Sequence, residues 1–353
     1  MAVPLYEHDR SIWDGCASDY ERQIVRGHPD VTAYESFEHS FIERLALFLT
    51  GDCGRDLHVY DFGCGSGRIH QLLAPLIERT VPETDGAKAS GRSGGTVRHV
   101  GGIDFSENMI ELARRNLDEE GFGMLYPGRL SFDVGSAFDV LPYLADAMPL
   151  AVSVCNSIGV MQGPEGARRL FSSMGRYVRS RKGIAVISCY RREAVAGYAL
   201  GNYESTMDVC GQPGWLAPDT YAGRQYTLVP HSYKRAHDPD PRITVDVFSA
   251  AGDCVKRDHE LVRDAAAVRK TIATGNIRTF NGYRSQWYAM NRIKEWMREF
   301  WGDGMLWHIP GSRLDRLRGE PAQLAIVDYS GAFGLLAKQW KLRPLSAGES
   351  ERV

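Results

Sequence analysis

The run VYDFGCGSGR at residues 59–68 constrains this chain more than any other feature of its sequence. It begins within the apolar segment LHVYDFG (57–63) and leads into RIHQLLAPLIE, whose apolar residues recur with the spacing of one helix face. Gly63, Gly65 and Gly67 therefore stand between a buried strand and a helix. At such a position the backbone has to turn sharply and let a ligand come close.

An acidic residue, Asp104, ends the next strand-like segment, VRHVGGID (97–104). A carboxylate at the tip of a second parallel strand can accept hydrogen bonds from both hydroxyls of a ribose. Its distance from the glycines exceeds the usual ~20 residues, and a Gly- and Ser-rich stretch at 82–95, interpreted as a mobile surface insertion, accounts for the excess. Asp61 suits a cationic ammonium better than a pyrophosphate, and Arg68 stands where a dinucleotide fingerprint would place its third glycine.

Strand-like and helix-like segments alternate from residue 57 to residue 190. A helix capped by Ser106 follows Asp104, and RLSFDVGSAFDV and LAVSVCNSIGV predict a third and a fourth strand. An amphipathic helix at 164–178 and a fifth strand at 183–190 complete the series. This alternation predicts an α/β fold with a doubly wound, Rossmann-like, mostly parallel sheet and right-handed crossovers.

Both flanks of this alternating region have a different pattern. The stretch HSFIERLALFLTG (39–51) predicts a helix ended by Gly51. After residue 190, extended segments joined by turns predict antiparallel pairing, and a helix is expected over 286–301 before a last sheet strand at 323–331. The organisation we predict is a helical lid over 1–50, a core over 51–190, an antiparallel insertion or substrate lid over 191–285, and C-terminal elements of the same domain over 286–353.

Composition excludes several classes of protein. The chain has 353 residues, and 42 Lys and Arg against 44 Asp and Glu give a formal charge of −2, so no basic excess indicates a nucleic-acid partner. No apolar run approaches the roughly 18 residues that cross a bilayer, so we expect no membrane partner. The first residues carry charges rather than the apolar run of a secretory signal. Seven scattered cysteines with no C-x-x-C pair indicate reduced thiols rather than a metal site, which favours the cytoplasm.

The motifs D-x-G-x-G-x-G (61–67) and I-D-x-S-x-x-M (103–109) resemble those of the class I S-adenosylmethionine-dependent methyltransferases. The resemblance covers roughly residues 10–190. It implies S-adenosylmethionine as the cofactor, S-adenosylhomocysteine as its product, and no metal. The contacts it implies are Asp61, Gly63, Gly65 and Gly67 for the methionine part, Asp104 for the ribose, and Phe105 and Met109 for the adenine.

Three further cofactor contacts are expected from the same resemblance. The segment WDGCASDY (13–20) resembles an element in which a tyrosine closes over the cofactor, here Tyr20; the alternative is a core tyrosine. Many relatives carry an aspartate after the third strand for the adenine amino group. Ser136 stands there in this chain, so Ser136 or the backbone near Ala137 is expected to serve, unless the register differs by a few residues. Cys155, after the fourth strand, is the remaining contact.

Methyl transfer from a sulfonium is an in-line displacement that depends on positioning and on exclusion of water. A hydroxyl or phenol acceptor generally needs a base, whereas an amine loses its proton readily. The ends of the fourth and fifth strands carry Asn156, Ser157 and Tyr190, and none of these is an obvious strong base. The run CNSIGV also resembles the Asn-Ser turn of N-methyltransferases that act on glycine and on amino sugars.

The acceptor predicted from these features is a small-molecule amine: an amino acid, a guanidino compound or an amino sugar. We assign Asn156 and Tyr190 to the catalytic site. The predicted substrate contacts are Ser157, Arg191, Asn202, Tyr203, Glu204 and Asp208.

Other interpretations remain open at this stage. They are O- or C-methylation on the same scaffold and a catalytically silent subunit that binds the cofactor; a dinucleotide oxidoreductase and an RNA methyltransferase are disfavoured. A homodimer also remains open. His231, His237, Asp238 and Asp240 could form a metal site or supply a base, but their turn-rich surroundings favour solvated loop residues. The tryptophans Trp287, Trp296, Trp301 and Trp307 are expected in a core or subunit interface rather than a cation cage.

Overall fold

A computed structural model of the chain describes residues 10, 13–14, 17, 29–77, 94–143, 146–161, 163–191, 219–221, 224–231, 242–249, 283–311 and 322–345. The helices in these ranges are α1 (Pro29–Thr50), α2 (Arg68–Leu73), α3 (Glu107–Glu119), α4 (Phe122–Leu125), α5 (Ser157–Val160), α6 (Gly163–Arg179), α7 (Met290–Trp301) and α8 (Ala332–Gln339). The strands are β1 (Leu57–Phe62), β2 (Val97–Asp104), β3 (Leu130–Val134), β4 (Met148–Ser153), β5 (Ile184–Tyr190), β6 (Asp219–Tyr221), β7 (Arg224–His231), β8 (Arg242–Ser249), β9 (Tyr283–Tyr288), β10 (Met305–Pro310) and β11 (Ala322–Asp328).

Seven of the described strands form one sheet in the order β10-β11-β5-β4-β1-β2-β3. Strands β1 to β5 pair in parallel, whereas β11 is antiparallel to β5 and β10 is antiparallel to β11. The predicted doubly wound, mostly parallel sheet is confirmed, and so is the position of the last strand. Because β2 and β4 lie on opposite sides of β1, the sheet has its switch point between β1 and β4, where such folds bind ligands.

The predicted antiparallel insertion is also present. Strands β6, β7, β8 and β9 form a second sheet in that order, with antiparallel pairing throughout. The extended segment predicted at 254–264 lies outside the described residues. The predicted start of the next helix, at residue 286, was wrong. Residues 286–288 pair with β8, and the helix α7 begins at Met290.

Helix α1 is part of the main core. Phe37, Phe41, Leu45 and Leu49 are fully buried and belong to one apolar cluster with residues of β1 and β4. The helix ends at Thr50, directly before Gly51, as predicted. It begins ten residues earlier than the pattern that predicted it, so its first half extends beyond the apolar segment at 39–51.

The helix after β1 is shorter than predicted. It was expected to carry Ile77 on its apolar face, but α2 ends at Leu73 and a 3-10 turn follows at Ala74–Leu76. Pro75 lies in that turn, and a proline has no N–H to continue the helical ladder. Ile77 instead forms a parallel bridge with Val97, at the start of β2.

Sequence patterning missed β10 and α8. Strand β10 is a short edge strand that contains Trp307 and ends in a proline, and α8 begins directly after Gly331 and includes Gly334. Neither carries a strong periodic signal. The described tryptophan side chains lie in the core as predicted, since Trp296, Trp301 and Trp307 are at most 2% exposed. Within the described ranges, none of the helices has the length and apolar character that crossing a membrane requires.

Gly67 offers a test of close packing beneath the glycine-rich loop. It has φ +80°, and a Cβ there would lie 3.0 Å from both Ala113 Cβ and Phe132 Cζ. Gly121 has a similar φ of +74° but no atom within 4 Å of such a Cβ. We expect Gly67→Ala to lower the free energy of unfolding by about 1–3 kcal/mol more than Gly121→Ala, because only Gly67→Ala adds overpacking to the shared backbone strain. Urea unfolding of both variants measures the difference, and equal losses would contradict it.

Candidate active site

The carboxyl ends of β1, β2 and β4 bring together the polar residues predicted for the site. The loop after β1 is held against β2, since the N–H groups of Gly63 and Cys64 donate to the Ile103 carbonyl at 2.8 and 3.0 Å. Gly63, Gly65 and Gly67 all have positive φ, of 87°, 49° and 80°. These are left-handed conformations that glycine adopts without strain. A Cβ at Gly65 would meet no atom of the described residues within 4 Å, so these residues leave open space in front of this part of the loop.

Asp104 joins the glycine-rich loop to the end of β2. Its Oδ2 accepts a hydrogen bond from the Gly65 N–H at 2.9 Å, and its Oδ1 accepts one from the Ser106 N–H at 3.0 Å. Burial is the main cause that raises the pKa of Asp104 to about 6. Two oxygens held by backbone donors give this carboxylate a fixed orientation, as a ribose-binding residue would need.

The described residues of the N-terminal segment lie against the same strand end. Asp14 Oδ1 accepts a hydrogen bond from the Ser106 hydroxyl at 2.6 Å, and its backbone carbonyl accepts one from Asn108 Nδ2 at 2.9 Å. Ala17 is 4% exposed. The WDGCASDY element is thus adjacent to Asp104 through Asp14, while Tyr20 itself lies outside the described residues.

Asp61 is a buried acidic residue at the end of β1. Its side chain is 1% exposed, and its Oδ1 has no hydrogen-bond partner among the residues that the structure describes. Burial raises the pKa of Asp61 to about 8, with Arg68 opposing this rise and the carboxyls of Asp104 and Glu38 adding to it. A buried carboxyl oxygen without a donor is unfavourable in the isolated protein. A cationic ligand group could donate a hydrogen bond to this oxygen.

The turn after β4 forms the other wall of the crevice. Cys155 and Asn156 both have φ 56°, an uncommon conformation for two successive residues that are not glycine. Asn156 is 3% exposed, and its Oδ1 accepts a hydrogen bond from the Tyr190 N–H at 3.1 Å. Ser157 Oγ donates to the Val154 carbonyl at 2.7 Å. A Cβ on Gly63 would lie 3.2 Å from Ser157 Cβ, so this turn contacts the glycine-rich loop directly.

Glu38 of α1 reaches this turn and was missed by sequence reasoning. Its Oε1 accepts a hydrogen bond from the Cys155 N–H at 2.8 Å, and its carboxyl also hydrogen-bonds the hydroxyls of Ser188 and Tyr34. The side chain is 1% exposed, and burial is the main cause that raises the pKa of Glu38 to about 7. One signal could have revealed it, namely a carboxylate among the buried aromatic positions of the helix.

Tyr34, one turn before Glu38, extends this network to β5. Its hydroxyl shares a hydrogen bond of 3.0 Å with Ser188 Oγ, and its ring lies 4.5 Å from that of Tyr190. The first half of α1 therefore packs across the carboxyl ends of β4 and β5. Glu35, on the adjacent face, holds Arg68 at 2.9 Å.

The predicted adenine contacts lie around the ends of β2 and β3. Met109 is 2% and Ala137 is 9% exposed, and Phe105 is half-buried. The Gly135 N–H donates to the Asp104 carbonyl at 2.8 Å, which brings the turn after β3 next to Asp104. Ser136 Oγ accepts a hydrogen bond from the Phe138 N–H at 3.2 Å, so this hydroxyl also shapes its own turn. Whether Ser136 or Ala137 contacts adenine stays a prediction.

The remaining predicted residues lie after β5, on β7 or outside the described ranges. Arg191 follows β5 and forms a parallel bridge with Tyr288, at the end of β9. His231 ends β7, where only the backbone is described. Among the described residues, no three His, Cys, Asp or Glu side chains are grouped as a metal ion would require. Those outside the described ranges are Asn202, Tyr203, Glu204, Asp208, His237, Asp238 and Asp240.

The fold and the crevice define an α/β protein with a glycine-rich turn after its first strand. Comparison with solved structures supports the fold. An S-adenosylmethionine-dependent methyltransferase from Clostridium acetobutylicum is 10% identical, with a TM-score of 0.50 over 90% of this chain and 98% of that one. The CcbJ methyltransferase from Streptomyces caelestis is 14% identical, with a TM-score of 0.50 over 91% of this chain and 98% of that one. A search of curated proteins finds no match.

The family comparison is more specific. Residues 54–216 match the family model of a methyltransferase domain. This stretch therefore resembles a methyltransferase domain, and the protein is an enzyme that uses S-adenosylmethionine. When bound, this cofactor supplies an electrophilic methyl group on a sulfonium sulfur. The crevice fits it, because the unpartnered Oδ1 of Asp61 can take an ammonium and the open space before Gly65 leaves room for a ligand.

Proposed function

We propose that the enzyme methylates the nitrogen of a small-molecule amine, such as an amino acid, a guanidino compound or an amino sugar. The observation that carries the proposal is the pair of buried carboxyls, Asp61 and Glu38, at the ends of β1 and beside β4. The Glu38 carboxyl raises the pKa of Asp61, and burial raises the pKa of both groups, which indicates one acidic environment. An acidic pocket attracts a cationic amine and repels a carboxylate acceptor.

The proposed roles of the chain's own residues follow from their contacts. Asp61 and the glycines would hold the methionine part of the cofactor, and Asp104 would hold the ribose. Asn156 would fix the acceptor end of the crevice, because its side chain ties the turn after β4 to Tyr190. Tyr190 and Ser157 would then line the acceptor. The same proposal gives the antiparallel insertion the role of a lid and Tyr20 the role of closing over the cofactor. It also includes the predicted substrate contacts, which are Arg191, Asn202, Tyr203, Glu204 and Asp208.

Two further parts of the proposal concern the cellular compartment and the oligomeric state. A small-molecule acceptor in the cytoplasm agrees with the balanced charge of the chain, which gives no general attraction to nucleic acid. The proposal also includes assembly of the enzyme into a homodimer.

The test is a product assay with purified protein. The protein is incubated with S-adenosylmethionine that carries a deuterated methyl group and with pooled amines, phenols and carboxylic acids, and products are identified by mass spectrometry. We expect label on amine nitrogen alone, because the acidic pocket selects cations. Label only on oxygen would overturn the amine assignment and leave the methyltransferase assignment intact.

A further inference from the structure

We propose that Glu38 is the residue that takes the proton from the acceptor amine before methyl transfer. The inference rests on the proposed amine acceptor and adds a catalytic residue that sequence reasoning did not find. In this step an N–H bond of the acceptor ammonium breaks and an O–H bond forms on Glu38. The electron pair stays on nitrogen, which becomes a neutral nucleophile, and Glu38 later releases the proton to solvent.

The position of Glu38 is the first argument. It is 117 residues from Cys155 in sequence, yet its Oε1 lies 2.8 Å from the Cys155 N–H, directly after β4. Asn156, the next residue, is linked to Tyr190 at the end of β5. The carboxyl therefore stands between the two strand ends that form the acceptor side of this fold.

The second argument is that two buried carboxyls can each bind a different ammonium group. Asp61 lies two residues before the glycine-rich loop, and its unpartnered Oδ1 suits the ammonium of the cofactor's methionine part. A second ammonium, that of the acceptor, needs a second carboxylate. Among the described groups at the ends of β4 and β5, Asn156, Ser157 and Tyr190 are not carboxylates, and Glu38 is.

The charges around Glu38 suit a proton acceptor near neutral pH. Arg68 of α2 favours its charged form, as do the hydrogen bonds from Tyr34 on α1, Ser188 on β5 and the Cys155 N–H. Burial opposes them and dominates, and the neighbouring Asp61 of β1 is itself affected by the Glu38 charge. The outcome is a pKa of about 7 for Glu38, which is close to the value at which a general base works best at neutral pH.

The test compares Glu38→Gln with Glu43→Gln, an exposed glutamate on the same helix. A glutamine at position 38 keeps an oxygen that can accept from the Cys155 N–H but cannot take a proton at neutral pH. With the amine identified by the product assay, we expect Glu38→Gln to lower kcat/KM at pH 7 by about 100-fold or more, the usual contribution of a general base. S-Adenosylhomocysteine affinity, measured by titration calorimetry, should stay within about twofold of wild type, and Glu43→Gln should match wild type in both assays.

The pH profile separates proton transfer from a structural role. In wild type, kcat/KM should rise with pH through about 7, as Glu38 loses its proton. In Glu38→Gln this rise should vanish, and the deficit should shrink above pH 9 as free amine accumulates in solution, since alkyl amines have pKa values near 10.4. The wild-type profile needs no variant, so it tests the inference even where Glu38→Gln folds poorly.

The possible outcomes distinguish the inference from the proposed function. Wild-type protein that labels only oxygen, or no acceptor at all, overturns the amine proposal and the role of Glu38 with it. An amine methylated equally well by wild type and Glu38→Gln overturns the role of Glu38 alone. A loss of the same size at every pH, together with weakened S-adenosylhomocysteine binding, would show a purely structural Glu38 and also overturn the inference.

Discussion

Replacing Asp61 by asparagine is expected to weaken binding of S-adenosylhomocysteine by roughly 10- to 100-fold and, at the same time, to stabilise the ligand-free protein. The binding loss follows from removing a charged hydrogen bond of about 1.5–3 kcal/mol to the ligand ammonium. The gain in stability follows because, within the described part of the chain, the buried Oδ1 of Asp61 has no partner. Near pH 8, where the Asp61 carboxyl ionises, a neutral amide avoids the cost of a buried, unpaired charge, by about 1–3 kcal/mol.

The stability effect should depend on pH in a defined direction. The pKa of Asp61 is about 8 in the folded protein, against ~3.9 for an unperturbed aspartate. Between these values the folded state holds a proton that the unfolded state has released, so the free energy of unfolding falls as pH rises from about 4 to about 8. Asparagine does not titrate, so the variant should lose this part of the pH dependence and be more stable than wild type at pH 8.

Calorimetric titration with S-adenosylhomocysteine and urea unfolding at pH 6 and pH 8 measure both effects. The exposed Asp52, in the turn after α1, provides the control substitution Asp52→Asn, which should leave affinity and stability near wild type. Unchanged affinity in Asp61→Asn would contradict the assignment of Asp61 to the cofactor ammonium. A loss of stability at pH 8 would contradict the unpaired charge.

Much of the fold could be predicted because its signals are local. Five parallel strands, the glycine-rich turn and the cap at Ser106 each depend on residues close together in sequence. The errors also have local causes. Pro75 ends a helix that apolar spacing alone would continue, and residues 286–288 have an apolar pattern that suits either a strand or a helix. Only their pairing with β8 decides between them.

The site could be predicted in part for the same reason. Gly65 and Asp104 lie in two motifs of fixed spacing, and the structure joins them by one hydrogen bond. Glu38 has no motif, since its importance arises from contacts with β4 and β5, far along the chain. The CNSIGV run indicated a turn at Cys155 and Asn156, but its left-handed conformation could not be predicted, because neither residue is glycine. Long-range packing, which a single sequence does not encode in any local pattern, positions both.

Asp104→Ala is expected to be the most damaging single change in the cofactor site. It removes the acceptor for two backbone donors at once, the N–H groups of Gly65 and Ser106. Each buried donor left without a partner costs about 1–3 kcal/mol, and the glycine-rich loop loses its link to β2. The free energy of unfolding should therefore fall by at least about 1 kcal/mol, and the affinity for S-adenosylhomocysteine should fall by about tenfold or more.

The matched control for this prediction is Asp133→Ala, at an exposed aspartate near the end of the neighbouring strand β3. Its Oδ2 accepts a hydrogen bond from the hydroxyl of Tyr60, on β1, at 3.0 Å. We expect Asp133→Ala to leave S-adenosylhomocysteine affinity near wild type, whereas Asp104→Ala loses it, as measured by titration calorimetry. If Asp104→Ala binds S-adenosylhomocysteine as tightly as wild type, Asp104 holds the loop but not the ribose. If both variants lose affinity equally, the effect belongs to the acidity of this sheet edge rather than to the two hydrogen bonds of Asp104.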